Sequence, residues 1–371
     1  MLQVKICFLS LASYPTLTGK NMGYAGGAEV EQVHLGAELT ALGHDVCFVT
    51  YSDGLERIER VCGIQVIKTY CREKASEISF VLKFKSIWSA LETANADIYF
   101  HEAGSIGVLP LFCYVHRKKF VHRIASDTIV LGKPLTGRHS FSENLRARAA
   151  VVEVKTADAV IAQSKFQELV LKERFGVESV LIKNGLIVPQ VDCEKTDPLV
   201  VLWVGSLSRI KNPKLFVELA KSLSNVRCEM IGGRGDPPQL YDEIAAVSRK
   251  LLNLKFHGFV PYNKVNEYFR RASIFVNTSS MEGFPNTFIQ AWAHYTPVVS
   301  LTVDPDSIIQ NEKLGFVSGT FRQLLSDVNT LLQDEKLRVT MGENARKYVE
   351  REHDVRKTVK EYIEIFSQLL A

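Results

Sequence analysis

The sequence predicts an α/β protein made of two doubly wound domains in tandem. Short apolar runs alternate with longer amphipathic segments along most of the chain, which is the pattern of helices covering both faces of a parallel sheet. At 371 residues the chain is longer than one hydrophobic core usually supports. A polar stretch with two prolines, residues 188–198, interrupts the alternation and reads as a linker, after which the pattern begins again.

In the first half, strands are expected at residues 4–9, 45–51, 64–67, 97–101, 119–125, 159–162 and 180–183. The apolar start could pass for a secretion signal, but Lys5 interrupts it, and a buried first strand feeding a glycine-rich loop explains it better. The clearest helix covers 28–42 and is stopped by Gly43. In the second half, strands are expected at 199–204, 226–231, 254–257, 274–277 and 297–301. The first helix there takes Asn212 as N-cap and Pro213 as its first residue. From Phe321 onward only helices are expected. The domains are therefore placed at 1–190 and 198–353, with 354–371 as a last helical segment. Doubly wound sheets bind ligands at the carboxyl ends of their strands, so a cleft between facing edges is the expected site.

Composition narrows the classes of function. With 46% hydrophobic and 23% charged residues and no repeat of fixed period, the chain is an ordinary globular one. A net charge of +4 spread over both halves does not suggest a nucleic-acid binder. One basic cluster, His116-Arg117-Lys118-Lys119 with Arg138, Arg146 and Arg148 after it, has two readings. It is either a solvated surface or a weak attractor for an anionic membrane, at about 1 kcal/mol per basic residue. The seven cysteines form no C-x-x-C pair, and several sit in apolar strands, so buried free thiols in a reducing, cytoplasmic setting are expected. No stretch approaches the roughly 20 apolar residues that span a bilayer, so any membrane contact would be peripheral.

Three loops after strands carry polar and glycine residues. The first ends Gly23-Tyr24-Ala25-Gly26-Gly27-Ala28-Glu29 ahead of a helix. Gly26 and Gly27 there would let backbone N–H groups approach a phosphate or sugar; the other reading is a plain turn. It is not G-x-G-x-x-G, and its long spacing from the strand counts against a dinucleotide site. The second, Gly205-Ser206-Leu207-Ser208-Arg209-Ile210-Lys211-Asn212-Pro213, brings two cations to a helix start where a diphosphate could lie; a solvated loop is the alternative. The third is Ser279-Ser280-Met281-Glu282-Gly283-Phe284-Pro285-Asn286-Thr287-Phe288-Ile289-Gln290. Glu282 lies on the loop, while Asn286 and Gln290 share one helix face. A carboxylate for sugar hydroxyls, helix-end N–H groups for phosphate and an amide for ribose would make a nucleotide-sugar site; a lone surface glutamate is the bland reading.

Glu282-Gly283-Phe284, with a polar residue eight positions after the glutamate and Thr296-Pro297-Val298-Val299 closing the unit, resembles the E-x7-E signature of the GT-B glycosyltransferases of family 4. The Gly-Gly-x-Glu loop at Gly26 to Glu29, Asn184-Gly185, Ile231-Gly232-Gly233 and Phe256-His257-Gly258-Phe259-Val260 fall in the family's order, so the resemblance covers essentially the whole chain. It implies a retaining transfer of sugar from a UDP- or GDP-linked donor to a saccharide or lipid-linked acceptor hydroxyl, without metal or other cofactor. A donor phosphate oxygen would take the acceptor proton. Carried over, Glu282 would bind donor sugar hydroxyls and Lys211 the diphosphate. Asn286 and Thr287 N–H groups would hold phosphate oxygens, Gln290 the ribose, and Val260 main chain the base. Gly205, Gly283 and Phe284 would line the donor site. The resemblance also implies that the last helix returns to the first domain, and that the role is bacterial surface polysaccharide assembly.

The chain departs from the family at several places. Gln290 replaces a second glutamate, at a cost of about 1 kcal/mol. Ser206 stands where the family has arginine, and Arg209 is expected to reach the same oxygens. Pro285 lacks the N–H of a family glycine. Tyr295 replaces a helix-ending glycine, so a different turn is expected there. On the acceptor side, His122 lies inside a strand and reads as a core or sheet-face residue; Asp127, at the strand end, is the better candidate. Two rival readings share the fold: a phosphorolytic or epimerising enzyme, and a non-catalytic binding or scaffolding protein.

Overall fold

The computed structural model describes residues 3–24, 26–102, 107–131, 141–191, 195 and 198–371. Ala25, Arg138, Cys193 and the linker positions 192, 194, 196 and 197 lie outside them, as do the side chains at 129 and 141–147, Arg146 among these.

The chain folds as two compact units. One comprises residues 1–20, 25–185 and 355–371; the other comprises 21–24 and 186–354. The first holds β1 (Lys5–Leu9), β2 (Asp45–Ser52), β3 (Ile58–Val61), β4 (Ile64–Cys71), β5 (Ile98–His101), β6 (Lys119–Arg123), β7 (Ala159–Ala162) and β8 (Val180–Leu181) in one sheet, ordered β3-β4-β2-β1-β5-β6-β7-β8. Only β3 runs antiparallel to its neighbour. Its exposed, charged Ile58-Glu59-Arg60-Val61 has no apolar run, which is why the sequence pattern does not reveal it. On one face, Val4, Ile6 and Phe8 pack with Leu35 and Leu39 of the helix Gly27–Ala41 and with Val359, Tyr362, Ile365 and Phe366 of the last helix, Val355–Leu370. On the other, Cys7, Leu9, Cys47 and Tyr99 meet the helices Phe80–Ala94 and Val108–His116.

The second unit holds β9 (Val200–Val204), β10 (Arg227–Ile231), β11 (Leu254–Phe256), β12 (Ile274–Asn277), β13 (Val298–Ser300) and β14 (Gly315–Val317), ordered β11-β10-β9-β12-β13-β14 and parallel at every pairing. This is the 3-2-1-4-5-6 order of a doubly wound nucleotide-binding sheet, whose order reverses between β9 and β12. The short edge strand β14 was not expected from the sequence; three residues carry too little pattern. Residues 186–190, assigned to the first domain by the linker argument, belong to the second unit. Leu186 and Val188 are buried in its core, and Leu186 N–H donates to His353 O at 2.8 Å.

Two local expectations need correction. Asn212 precedes Pro213 as anticipated, but it sits at φ 48° and its side chain caps nothing. Tyr295 does adopt the left-handed conformation, at φ 57°, where a different turn was expected. The Arg346 guanidinium lies 5.4 Å from its ring while donating to Ala293 O and to Pro189 O, so surrounding contacts hold a backbone that a tyrosine alone would avoid. Among the described cysteines no disulfide forms, and Cys7, Cys47, Cys113 and Cys228 are buried. Among the described residues no helix is long and apolar enough to cross a membrane.

Candidate functional site

In the second unit, the loops following β9 and β12 leave neighbouring strands at the point where the sheet order reverses. They are tied together by their own hydrogen bonds. Ser280 N–H donates to Ile210 O at 2.8 Å, and the Thr278 hydroxyl donates to Lys211 O at 2.8 Å. Thr278 in turn receives the Trp203 indole N–H at 2.9 Å. This stitching places Lys211 and Glu282, 71 residues apart in sequence, side by side: the Lys211 ammonium is in direct contact with Glu282 Oε1. The Ser279 hydroxyl donates to the same oxygen at 2.6 Å, and Asn277 fixes Ser279 by donating to Oγ from its side chain while accepting Ser279 N–H. The Glu282 side chain is 12% exposed and that of Lys211 29%, so both are held yet reachable.

Glycines let this end of the sheet close. A Cβ on Gly232 would strike Gly205 O, and one on Gly235 would come within 2.5 Å of Leu207 O, so the backbones after β9 and β10 lie against each other. Gly205 N–H donates to Ile231 O at 3.0 Å. Ser206 and Arg209 are exposed on this loop. Val260 lies in the connection after β11, half-buried against the core. Gly283 is half-buried in the loop that precedes the eight-residue helix Asn286–Ala293, with Pro285 at its N-cap and Asn286 and Thr287 in its first turn. The lack of an N–H on Pro285 removes nothing the helix itself would use.

Two donor-side side chains are turned into the core. Phe284 does not offer its ring to a ligand; it is 5% exposed and packs on His353, with centroids 4.9 Å apart, and on Trp292. Its apolar ring gains more from the core than from a wet loop. Gln290 is likewise buried, and its amide nitrogen donates to Asn266 Oδ1 at 3.2 Å.

In the first unit, the helix Gly27–Ala41 begins with Gly26 as N-cap, and the carboxylate of Glu29 folds back over Gly26. The Gly26-Gly27 loop is thus no bare phosphate cradle, because an anion arriving there meets a carboxylate. Asp127 opens a short helix, half-buried, and Oδ1 accepts from the Gln167 side chain at 2.9 Å. His122 is 2% exposed within β6, and burial pushes its imidazole down to about 4.

Sequence reading missed a cavity at the carboxyl ends of β1 and β5, where the first sheet reverses order. Ser10, Glu29, Gln32, His101 and Glu153 line it, with apolar walls from Leu9, Ile87 and Leu109. His101 Nδ1 lies 3.2 Å from Glu153 Oε2. The sequence offered only that His101 closes a strand; its place beside the first strand, at the switch point, is set by the sheet order. His101, His122 and Glu153 also present ligand-type atoms within 4.8 Å of one another, the one such group among the described residues, and it belongs to the first unit and not to the loops of Lys211 and Glu282.

Beside this cavity lies a buried ion cluster. Arg123, fully buried, donates to Glu31 at 2.6 Å, to Glu102 at 2.8 Å and to Asn184 at 2.7 Å. Burial and the neighbouring Glu31 charge hold the Glu102 carboxyl well above its usual range. Gly185 follows Asn184 where the last helix passes: a Cβ there would come within 3.1 Å of Val355 Cα. The Asn184-Gly185 pair thus serves the seat of that helix.

The family model described as Glycosyltransferase Family 4 matches residues 25–188, and that described as Glycosyl transferases group 1 matches 189–348. The chain is 34% identical over 87 residues to the capsular polysaccharide biosynthesis glycosyltransferase CapM of Staphylococcus aureus, covering 22% of this chain and 23% of the relative. It spans less than two thirds of the length of the curated relatives it matches. Among solved structures it is similar to sucrose-phosphate synthase from Thermosynechococcus elongatus, with a TM-score of 0.80, 20% identity and 98% of each chain covered. It is also similar to Anabaena HepE solved with UDP-glucose, with a TM-score of 0.74, 19% identity, and 99% and 100% covered. Two family models meeting end to end, on two sheets of this strand order, make the chain a member of the GT-B glycosyltransferases of family 4.

Proposed function

We propose that the chain moves a sugar from a nucleotide diphosphate to an acceptor hydroxyl with retention of anomeric configuration, and that it needs no metal or other cofactor. The observation that carries this reading is the Lys211–Glu282 contact, braced by Ser279, at the carboxyl end of a doubly wound sheet. Bound donor would draw the Lys211 ammonium toward the diphosphate. Glu282 would then be free to accept hydrogen bonds from sugar hydroxyls while staying oriented by Ser279. Arg209, exposed on the same loop, adds a second cation within the loop's reach. First-turn amides at Asn286 and Thr287 would meet the charge that builds on the leaving diphosphate. Catalysis is then stabilisation of the departing diphosphate plus positioning of the acceptor, with a donor phosphate oxygen receiving the acceptor proton. The acceptor would enter the first unit's cavity beside His101 and Glu153.

The UDP-glucose held by HepE favours a uridine donor over a guanosine one, and the capsular role of CapM favours surface polysaccharide assembly on a saccharide or lipid-linked acceptor at the cytoplasmic face of a membrane. A thermal-shift screen of UDP- and GDP-sugars tests the donor: one of them should raise Tm, and turnover with it should give a product of unchanged anomeric configuration by NMR and be indifferent to EDTA. Failure of every nucleotide sugar to shift Tm would refute the reading.

A further inference from the structure

We propose that the outer surface of the helices Phe80–Ala94 and Val108–His116 docks on an anionic lipid bilayer. The proposal deepens the lipid-linked acceptor reading above and rests on it for its purpose. The helix Val108–His116 is apolar on every side for its first eight residues. Val108, Leu109, Phe112 and Cys113 face the sheet and are buried. Leu111, Tyr114 and Val115, spaced i, i+3, i+4 on the opposite side, are 48%, 84% and 56% exposed. A helix apolar all round is normally buried in protein or lipid, and among the described residues nothing covers this side.

The neighbouring helix extends the patch. Its first turn exposes Phe80, Val81 and Leu82 by 55%, 59% and 57%. An aromatic ladder links the two: Phe80 to Phe84 at 6.4 Å, Phe84 to Trp88 at 5.7 Å, and Trp88 onto Phe112 at 5.1 Å and His116 at 5.6 Å. Six of the sixteen large exposed apolar side chains of the described residues thus gather on two adjacent helices of one layer, whereas scattered single ones would need no explanation.

Charge identifies the occupant. Lys83 and Lys85 lie within the exposed turns of one helix, and Arg117 and Lys118 directly follow the other. The nearby pairs are His116 with Glu92 at 4.0 Å and Lys119 with Asp158 at 3.7 Å; among the described residues no ion pair engages Lys83, Lys85, Arg117 or Lys118. Unpaired cations around apolar anchors match phosphate headgroups over acyl chains, the composition of an interfacial surface.

Co-sedimentation of the full chain with vesicles tests this. It should pellet with phosphatidylcholine vesicles containing phosphatidylglycerol, not with phosphatidylcholine alone, and less as salt rises. Arg117→Ser with Lys118→Ser should weaken binding about thirty-fold. Tyr114→Ser with Val115→Ser should remove it at physiological salt, and Leu252→Ser, on the second unit, should bind as wild type. The proposal is overturned if wild type stays in the supernatant at low salt or if both double variants pellet normally. It is equally overturned if the chain is a dimer in solution that the Tyr114/Val115 variant breaks without ever binding vesicles. Nucleotide-sugar thermal shifts on the same proteins separate the two readings. A lost shift with intact vesicle binding removes the transferase reading and keeps the surface, and the reverse removes the surface alone.

Discussion

Glu282 and Lys211 bring opposite charges to one place, and on the proposed reading their substitutions should part accordingly. Glu282→Gln keeps the shape but gives up the charged acceptor of Lys211 and Ser279, so kcat/KM should fall about 100-fold. The melting temperature without donor should barely move, because a partly exposed pair contributes about 0–1 kcal/mol. Lys211→Ala should abolish the donor-induced thermal shift itself. Retention of near wild-type kcat/KM by both variants would show that these loops do not hold the donor. Arg209→Ala tests the proposal that Arg209 stands in for the arginine missing at Ser206; if donor affinity is unchanged there while Lys211→Ala destroys it, Arg209 plays no part.

At the scale of elements, the last helix is the most informative. Val359, Tyr362, Ile365 and Phe366 are buried against β1 and the helix Gly27–Ala41, and Val355 is buried beside Gly185. At about 1.5–3 kcal/mol per side chain this burial amounts to about 7–15 kcal/mol, the size of a whole domain's net stability. The same helix brings the Tyr362 hydroxyl to Glu31, within the Arg123 cluster. A chain ending after Asp354 should therefore lose the cooperative thermal transition of the first unit, seen by near-ultraviolet circular dichroism. An unchanged transition would mean that the helix is an accessory. Gly185 predicts a finer effect of the same kind, since any side chain there presses on Val355 and Thr358.

The whole molecule should respond to pH through its buried imidazoles. Burial pushes His34, His122 and His294 down to about 4, against about 6.5 in the unfolded chain. Their contribution to stability is complete above pH 6.5 and is lost as pH falls toward 4, because only the unfolded state takes up the protons. Glu31 and Glu102 act in the other direction. Their carboxyls are raised by burial, so their contribution is present at low pH and is lost as pH rises through the raised values. A single variant separates the terms. His294 donates to Gln290 O at 2.7 Å, with Lys195 and Arg346 adding positive charge nearby. Between pH 7 and pH 5, wild type should lose about 2 kcal/mol more than His294→Gln, read from urea midpoints. Parallel curves would show that this imidazole is protonated in the folded state.

Legibility followed the range of the interactions involved. The alternation of apolar runs, the glycine stops and the loops at 205–213 and 279–290 are local signals, and they determined the two-domain α/β class and the placing of Lys211 and Glu282 after strands. Edge strands escaped because β3 and β14 are short or charged and owe their form to a neighbour's backbone. Phe284 reads in sequence as part of a ligand loop, and only packing on Trp292 and His353 turns it inward. Tyr295 reads as a residue that would refuse positive φ, yet the Arg346 contacts hold it there. The contact of Lys211 with Glu282, the cavity of His101 and Glu153, and the meeting of Arg123 with Glu31 and Glu102 join residues tens of positions apart. Sequence alone determined which chemical groups stand at strand ends. Tertiary structure decided which of them meet, because adjacency in a parallel sheet is set by crossover order and not by distance along the chain.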